Sequence, residues 1–237
     1  MQSPFSNLPP VLKNLLIINI LCFIATLYYS HGGLDPVGAH FGVYYFNSPN
    51  FRPWQLITYM FLHGGWEHIL FNMFALYSFG AILEYTMTSQ KFLVFYFVCG
   101  IGAVVFQMIV QAYEVHAITG GINIAFPELE SSYLQYGENA QKLYDIFNVP
   151  MVGASGAIFG VLIAFGMIYP NAELMILFIP VPVKAKYIIP VYILIELSLG
   201  ISQFGGDNVA HFAHIGGAII GFILVKMWRL QGPRNFI

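Results

Sequence analysis

Ser155 stands in the run Gly153-Ala154-Ser155-Gly156, His68 and Asn72 are spaced four apart, and His211 and His214 three apart. A serine hydroxyl is a weak nucleophile until an imidazole takes its proton. The oxyanion formed on an attacked carbonyl then needs donors already in place. Backbone N–H groups at a helix start, an imidazole and a carboxamide supply them. Together these residues are the set that acyl transfer requires. Any one alone is unremarkable, since an isolated Ser or His in an apolar segment ordinarily bonds a nearby carbonyl. No Asp falls in the apolar segments, so the pattern predicts a Ser–His dyad rather than a triad. Glu196, the one carboxylate deep in an apolar run, receives no role.

The elements that must position these groups are membrane helices. Of 237 residues, 58% are hydrophobic and only 8% are Asp, Glu, Lys or Arg, against about 25% in a soluble domain. So few charges cannot cover so much apolar side chain, which excludes a soluble enzyme or a disordered tail. The formal charge of −2 offers no basic surface for nucleic acid. The expected solvent is the lipid bilayer. Solid apolar runs, rather than the alternation of a β-barrel, predict six spans. They are Leu15 to Tyr29, Trp66 to Leu83, Phe92 to Tyr113, Ser155 to Tyr169, Tyr187 to Ile201 and Val209 to Val225. A shallow apolar approach at Leu174 to Val183 precedes the fifth. With the N-terminus inside, Lys13, Lys91, Lys184, Lys186, Lys226, Arg229 and Arg234 are cytoplasmic and only Arg52 and Lys142 lie outside. That asymmetry puts both termini in the cytoplasm. The first apolar run has no small-x-small cleavage site after it and reads as a retained anchor.

Two outside loops exceed simple connectors. Ser30 to Gly65 carries Gly, Pro and aromatic residues suited to the membrane interface. Glu114 to Pro150 holds Glu128, Glu130, Glu138 and Asp145 against Lys142. It reads as a lid, a docking surface or a solvated acidic linker, with helical spacing over Gly137 to Phe147 that puts Leu143, Tyr144 and Phe147 on one side. Cys22 and Cys99 sit in separate apolar runs and read as small buried hydrophobes.

Depth and phase narrow the choice of residues. Ser155 lies about 22 Å above Pro170 at 1.5 Å per residue, and both His211 and His214 have a similar depth above the last basic residues. Ala213, Gly217 and Gly221 form a small-residue stripe that lets a neighbouring helix approach closely. His214 lies within about 60° of that stripe at 100° per residue, whereas His211 points away. His214 is therefore the expected base, and His211 a supporting hydrogen-bonder or a polar residue near the cavity mouth. The fourth helix is too short to cross a core about 30 Å thick, so its start and the loop before it must line a polar cavity. Gly153 and Gly156 permit the tight turn there, leaving Ser155 at a positive helix end.

The segments His63-Gly-Gly-Trp-Glu-His68-Ile-Leu-Phe-Asn72, Gly153-Ala-Ser155-Gly156 and Ala213-His214-Ile-Gly-Gly, in this order and on these helices, resemble the rhomboid family of intramembrane serine proteases. The likeness runs from Phe51 to Trp228. It implies an all-α, six-helix rhomboid-like bundle: an anchor helix and the start of the first outside loop in 1–50, a protease core in 51–228 and a short cytoplasmic tail in 229–237. By the same resemblance Ser155 is the nucleophile and His214 the base. His68, Asn72 and the Ser155 amide form the oxyanion hole, and Phe159 packs on the catalytic imidazole. Transmembrane protein segments are the implied substrates, with no cofactor and no metal. Trp54-Gln55 departs from the Trp-Arg of many members, which weakens any loop-anchoring role for an Arg here. The membrane expected is a bacterial inner one.

Two other readings compete. A catalytically silent rhomboid-like binder of membrane proteins is disfavoured by the presence of both Ser155 and His214. A small transporter or metal-handling protein would use His63, His68, His211 and His214, but no HExxH and no transporter-like repeat is present. His31, His40 and His116 read as interfacial, and His63 as steadying the loop before the second helix.

Overall fold

The computed structural model describes residues 8–30, 35–125, 127, 130–176, 179–202 and 210–232. His31, Glu128, Val209 and Arg234, named above, lie outside them. Helices dominate: α1 (Pro10–Tyr29), α2 (Pro36–Phe41), α3 (Gln55–Thr58), α4 (Trp66–Met87), α5 (Ser89–Thr119), α6 (Ala140–Asn148), α7 (Ser155–Ile168), α8 (Ala185–Ser202) and α9 (His211–Met227). Among the described residues α1, α4, α5 and α8 are long and apolar enough to cross a membrane, while α7 and α9 are shorter apolar helices.

Each of these apolar helices overlaps a run that the sequence offers as a span, with shifted ends. The largest shift is in α5, which continues past Tyr113 to Thr119. It stops where Gly120 turns left-handed at φ +78° and donates its N–H to the His116 carbonyl at 2.9 Å, the usual glycine stop. Val115, on the added turns, is fully buried against Tyr45, Leu143 and Phe147. The loop from Glu114 is thus no solvated linker: its α6 packs with α5 into a satellite core. Leu143, Ile146 and Phe147 face inward there, while Tyr144 is turned out, a correction to the expected face.

The stretch before α8 is also different. Instead of a shallow apolar approach it forms a hairpin, β1 (Glu173–Ile176) paired antiparallel with β2 (Ile179–Lys184). Pro180 and Pro182, two residues apart, each remove a helix hydrogen bond and disfavour a helix there, and the flanking Val181 and Val183 suit a strand.

At the centre, α7 packs against α9 and α5, and is flanked by α4 and α8. Its 14 residues span only about 21 Å, and its sides are buried throughout from Gly156 to Val161. An apolar helix covered all round belongs in the interior. The outer helices instead turn Ile17, Leu21, Phe71, Phe74, Leu194 and Ile201 outward, the surface that lipid covers.

One buried carboxylate secures α1 to this frame. Glu84, on α4, accepts from the backbone N–H groups of Val11 at 3.0 Å and Leu12 at 2.7 Å and from the Ser89 hydroxyl at 2.6 Å. The first turn of α1 has no side-chain cap of its own. Glu84 satisfies its orphan donors from a neighbouring helix and sets a negative charge at the positive end of the dipole.

Candidate active site

The loop entering α7 is held on both sides. Val43 and Met151 exchange backbone hydrogen bonds of 2.9 and 2.8 Å, tying the first outside loop to the segment before Ser155. Gly153 donates its N–H to the Tyr59 carbonyl at 2.9 Å, and the buried Tyr59 hydroxyl donates to the Gly100 carbonyl at 2.7 Å. Gly153 itself has φ +137°, and a Cβ there would meet His68 Nε2 at 2.8 Å and Ser155 Oγ at 3.5 Å. Only glycine permits that backbone and that close a ring. Ser155 is the first residue of α7, so its N–H has no acceptor within the helix.

Close helix packing brings α9 to this point. A Cβ at Gly217 would fall on the Gly156 carbonyl, and one at Gly221 would lie 2.7 Å from Gly160 Cα. Two small-residue pairs thus let the α7 and α9 backbones touch. The result places Ser155 Oγ 2.7 Å from His214 Nε2. Phe159, one turn down from Ser155, lies flat against the imidazole, with centroids 4.3 Å apart and planes inclined by 7°.

Behind His214 the sequence reading needs correction. Glu196, on α8, sets its Oε2 2.7 Å from His214 Nδ1 and 2.7 Å from His211 Nδ1. All three residues are buried. The carboxylate left without a role joins the Ser–His pair, and His211, though phased away from the small-residue stripe, reaches the same oxygen as a supporting hydrogen-bonder. Sequence offered one signal: a carboxylate within an apolar span is costly unless paired. Helical phase on α9 alone could not say what α8 brings.

On the opposite side of Ser155, His68 Nδ1 accepts from the Gly64 N–H at 3.4 Å. Its Nε2 is therefore the protonated nitrogen, and it is the one facing Gly153 and Ser155. Asn72, one turn further along α4, is buried, and its Nδ2 finds no protein acceptor among the described residues. His63 sits edge-on to His68 at 5.1 Å. It is buried, and burial, followed by the neighbouring His68, pushes its pKa down from 6.5 to about 3. The structure thus gathers Ser155, His214, His68, Gly153, Gly156 and Phe159, with Asn72 one turn along α4 from His68.

Gln55 anchors the first loop where an Arg was in question. Its Oε1 accepts from Arg52 N–H at 2.9 Å, and its Nε2 donates to the His40 and Asn50 carbonyls at 3.3 and 3.1 Å. The four histidines of the metal reading do not converge: His63 pairs with His68, and His211 with His214 through Glu196. Glu196, His211 and His214 offer ligand atoms within 4.8 Å of one another. Yet both Nδ1 atoms contact Oε2 at 2.7 Å, whereas tetrahedral zinc ligands at about 2.1 Å from the ion stand about 3.4 Å apart. The spacing is that of hydrogen bonds.

A family model described as the Rhomboid domain matches residues 50–230. Rhomboid protease AarA of Providencia stuartii is 33% identical over 177 residues, covering 72% of this chain and 54% of its own. RHOMBOID-like protein 12, mitochondrial, of Arabidopsis thaliana is 30% identical over 169 residues, 71% of this chain and 44% of its own. Rhomboid protease GluP of Bacillus subtilis is 30% identical over 169 residues, 71% of this chain and 25% of its own. The chain spans about half the length, or less, of these relatives.

Proposed function

Because the chain belongs to the rhomboid family, we propose that it is an intramembrane serine endopeptidase that cleaves transmembrane segments of other membrane proteins. The observation that carries this reading is the 2.7 Å contact between Ser155 Oγ and His214 Nε2 on two helices with touching backbones. Ser155 Oγ attacks the scissile carbonyl carbon as its proton passes to Nε2, and the carbonyl π pair moves onto oxygen. His68 Nε2–H, the Asn72 amide and the Ser155 N–H stabilise that oxyanion. The imidazolium then protonates the leaving amine as the C–N bond breaks. A water then attacks the acyl carbon as its proton passes to His214, and the imidazolium delivers that proton to Ser155 Oγ as the acyl C–O bond breaks. Phe159 holds the imidazole plane. Gly153 and Gly156 allow the turn and the helix approach on which the geometry depends.

In this reading α1, α4, α5, α7, α8 and α9 form a six-helix bundle with both termini cytoplasmic, supported by the basic residues on that side. Residues 51–228 are the protease core, 1–50 the anchor helix with the start of the first outside loop, and 229–237 a tail. The bilayer and transmembrane proteins are its partners. Relatives named for mitochondria and chloroplasts stand beside bacterial ones, so a bacterial inner membrane has no special support and the proposal is confined to a multi-pass membrane location.

The test is cleavage of a reporter transmembrane segment by purified protein in lipid, beside Ser155→Ala and His214→Ala. Cleavage by wild type, lost in both folded variants, is expected. A Ser155→Ala protein that still cuts would overturn the serine mechanism, and three inactive proteins across several reporters would favour a silent binder.

A further inference from the structure

The geometry points to Glu196 as the positioning residue of the site, completing a Ser155–His214–Glu196 triad in which His211 braces the carboxylate. This rests on the proposed serine-protease reading and goes beyond its two-residue chemistry.

For Ser155 to lose its proton to Nε2, the neutral His214 ring must carry its hydrogen on Nδ1. A serine and an imidazole alone do not select that tautomer. Glu196 does, because an ionised carboxylate has no hydrogen to give and its Oε2, 2.7 Å from His214 Nδ1, can only accept. The length is that of a charge-assisted bond. When the ring becomes an imidazolium, the same carboxylate faces the new positive charge at no further cost in reorganisation.

The carboxylate is itself held in place. Glu196 is buried at mid-helix in α8, where an unpaired charge would be expensive. His211 Nδ1 supplies a second donor to the same oxygen at 2.7 Å, and Tyr192 lies one turn earlier on α8. Tyr192 packs its ring on Phe159, centroids 5.1 Å apart, and Phe159 covers the face of His214. The imidazole is therefore fixed in plane by Phe159, at Nδ1 by Glu196 and at Nε2 by Ser155. Close packing of α8 on α9 lets this happen: a Cβ at Gly200 would sit 3.1 Å from His211 Cβ.

The experiment compares wild type, Glu196→Gln, Glu196→Asp and His211→Asn in lipid, using reporter cleavage, labelling of Ser155 by a fluorophosphonate, and ¹⁵N spectra of histidine-labelled protein. Thermal unfolding of each variant checks that it is folded. Glu196→Gln is expected to lose up to about 10⁴-fold in kcat, the loss seen when an orienting triad carboxylate becomes an amide, with KM little changed. Its His214 ¹⁵N shifts should move away from the Nδ1–H tautomer, and Glu196→Asp should recover part of both. Wild-type kcat with an unmoved spectrum in a folded Glu196→Gln protein would overturn the inference. So would a loss of kcat, with that spectrum unmoved, that Asp does not relieve, since a merely structural role gives that pattern. If wild type neither cleaves nor labels at Ser155, the protease reading fails instead, and the ¹⁵N spectra still decide whether Glu196 sets the His214 tautomer.

Discussion

Asn72 separates what the site needs for chemistry from what the fold needs for stability. Its Nδ2 is buried with no protein acceptor among the described residues, and an unsatisfied buried donor costs about 1–3 kcal/mol. Leu has nearly the same shape as Asn and no donor, so Asn72→Leu removes that cost and adds apolar contact on α4. Unfolding in mild detergent, by heat or by a denaturing detergent, should show a variant as stable as wild type or about 1 kcal/mol more so. Turnover should move the other way. Loss of one oxyanion donor costs about 10²–10³-fold in kcat, or about 2.7–4 kcal/mol, while KM for a reporter segment, set by contacts along its length, changes little. A variant that keeps wild-type turnover and unfolds earlier would make Asn72 a structural amide and refute the reasoning.

Gly153→Ala forces a Cβ to within 2.8 Å of His68 Nε2 at a backbone φ of +137°, so kcat should fall by about 10²-fold, the scale of a 1 Å misplacement; full activity would detach His68 from the site. Glu84→Gln weakens the charged cap on α1 and should cost about 1–2 kcal/mol of stability, read from unfolding, with reporter cleavage retained below the transition; an unchanged stability would count against that cap. His63 binds a proton near pH 3 when folded and near 6.5 when unfolded, so its contribution is lost as pH falls through that window. His63→Phe should therefore lose less stability than wild type between pH 7 and pH 5, and equal losses would contradict the burial argument.

Sequence alone carried the architecture a long way because lipid imposes strong rules. A helix must satisfy its own backbone, so apolar runs marked α1, α4, α5, α7, α8 and α9 within a few residues. The Gly217 and Gly221 stripe, with its partners Gly156 and Gly160, is a periodic signal and gave the phase that separates His214 from His211. What escaped depends on contacts between distant segments. Gly120 marks the end of α5 locally, but the turns beyond Tyr113 are covered by packing of Val115 with Tyr45 and Phe147, which no local pattern announces. The hairpin of β1 and β2 hides in a run of apolar and proline residues that reads equally as an interfacial approach. Glu196 stood in plain view as a buried charge. Its partners lie 15 and 18 residues away on another helix, and only the crossing of α8 and α9 brings them to one oxygen.

Mass-spectrometric mapping of the covalent adduct left by a fluorophosphonate on the lipid-embedded protein tests the central claim most directly, because it reports nucleophile and base without a known substrate. The account predicts a single adduct on Ser155, formed at least about 10²-fold more slowly in a folded His214→Ala protein. An adduct on another residue, or labelling of Ser155 at an undiminished rate without His214, would contradict it.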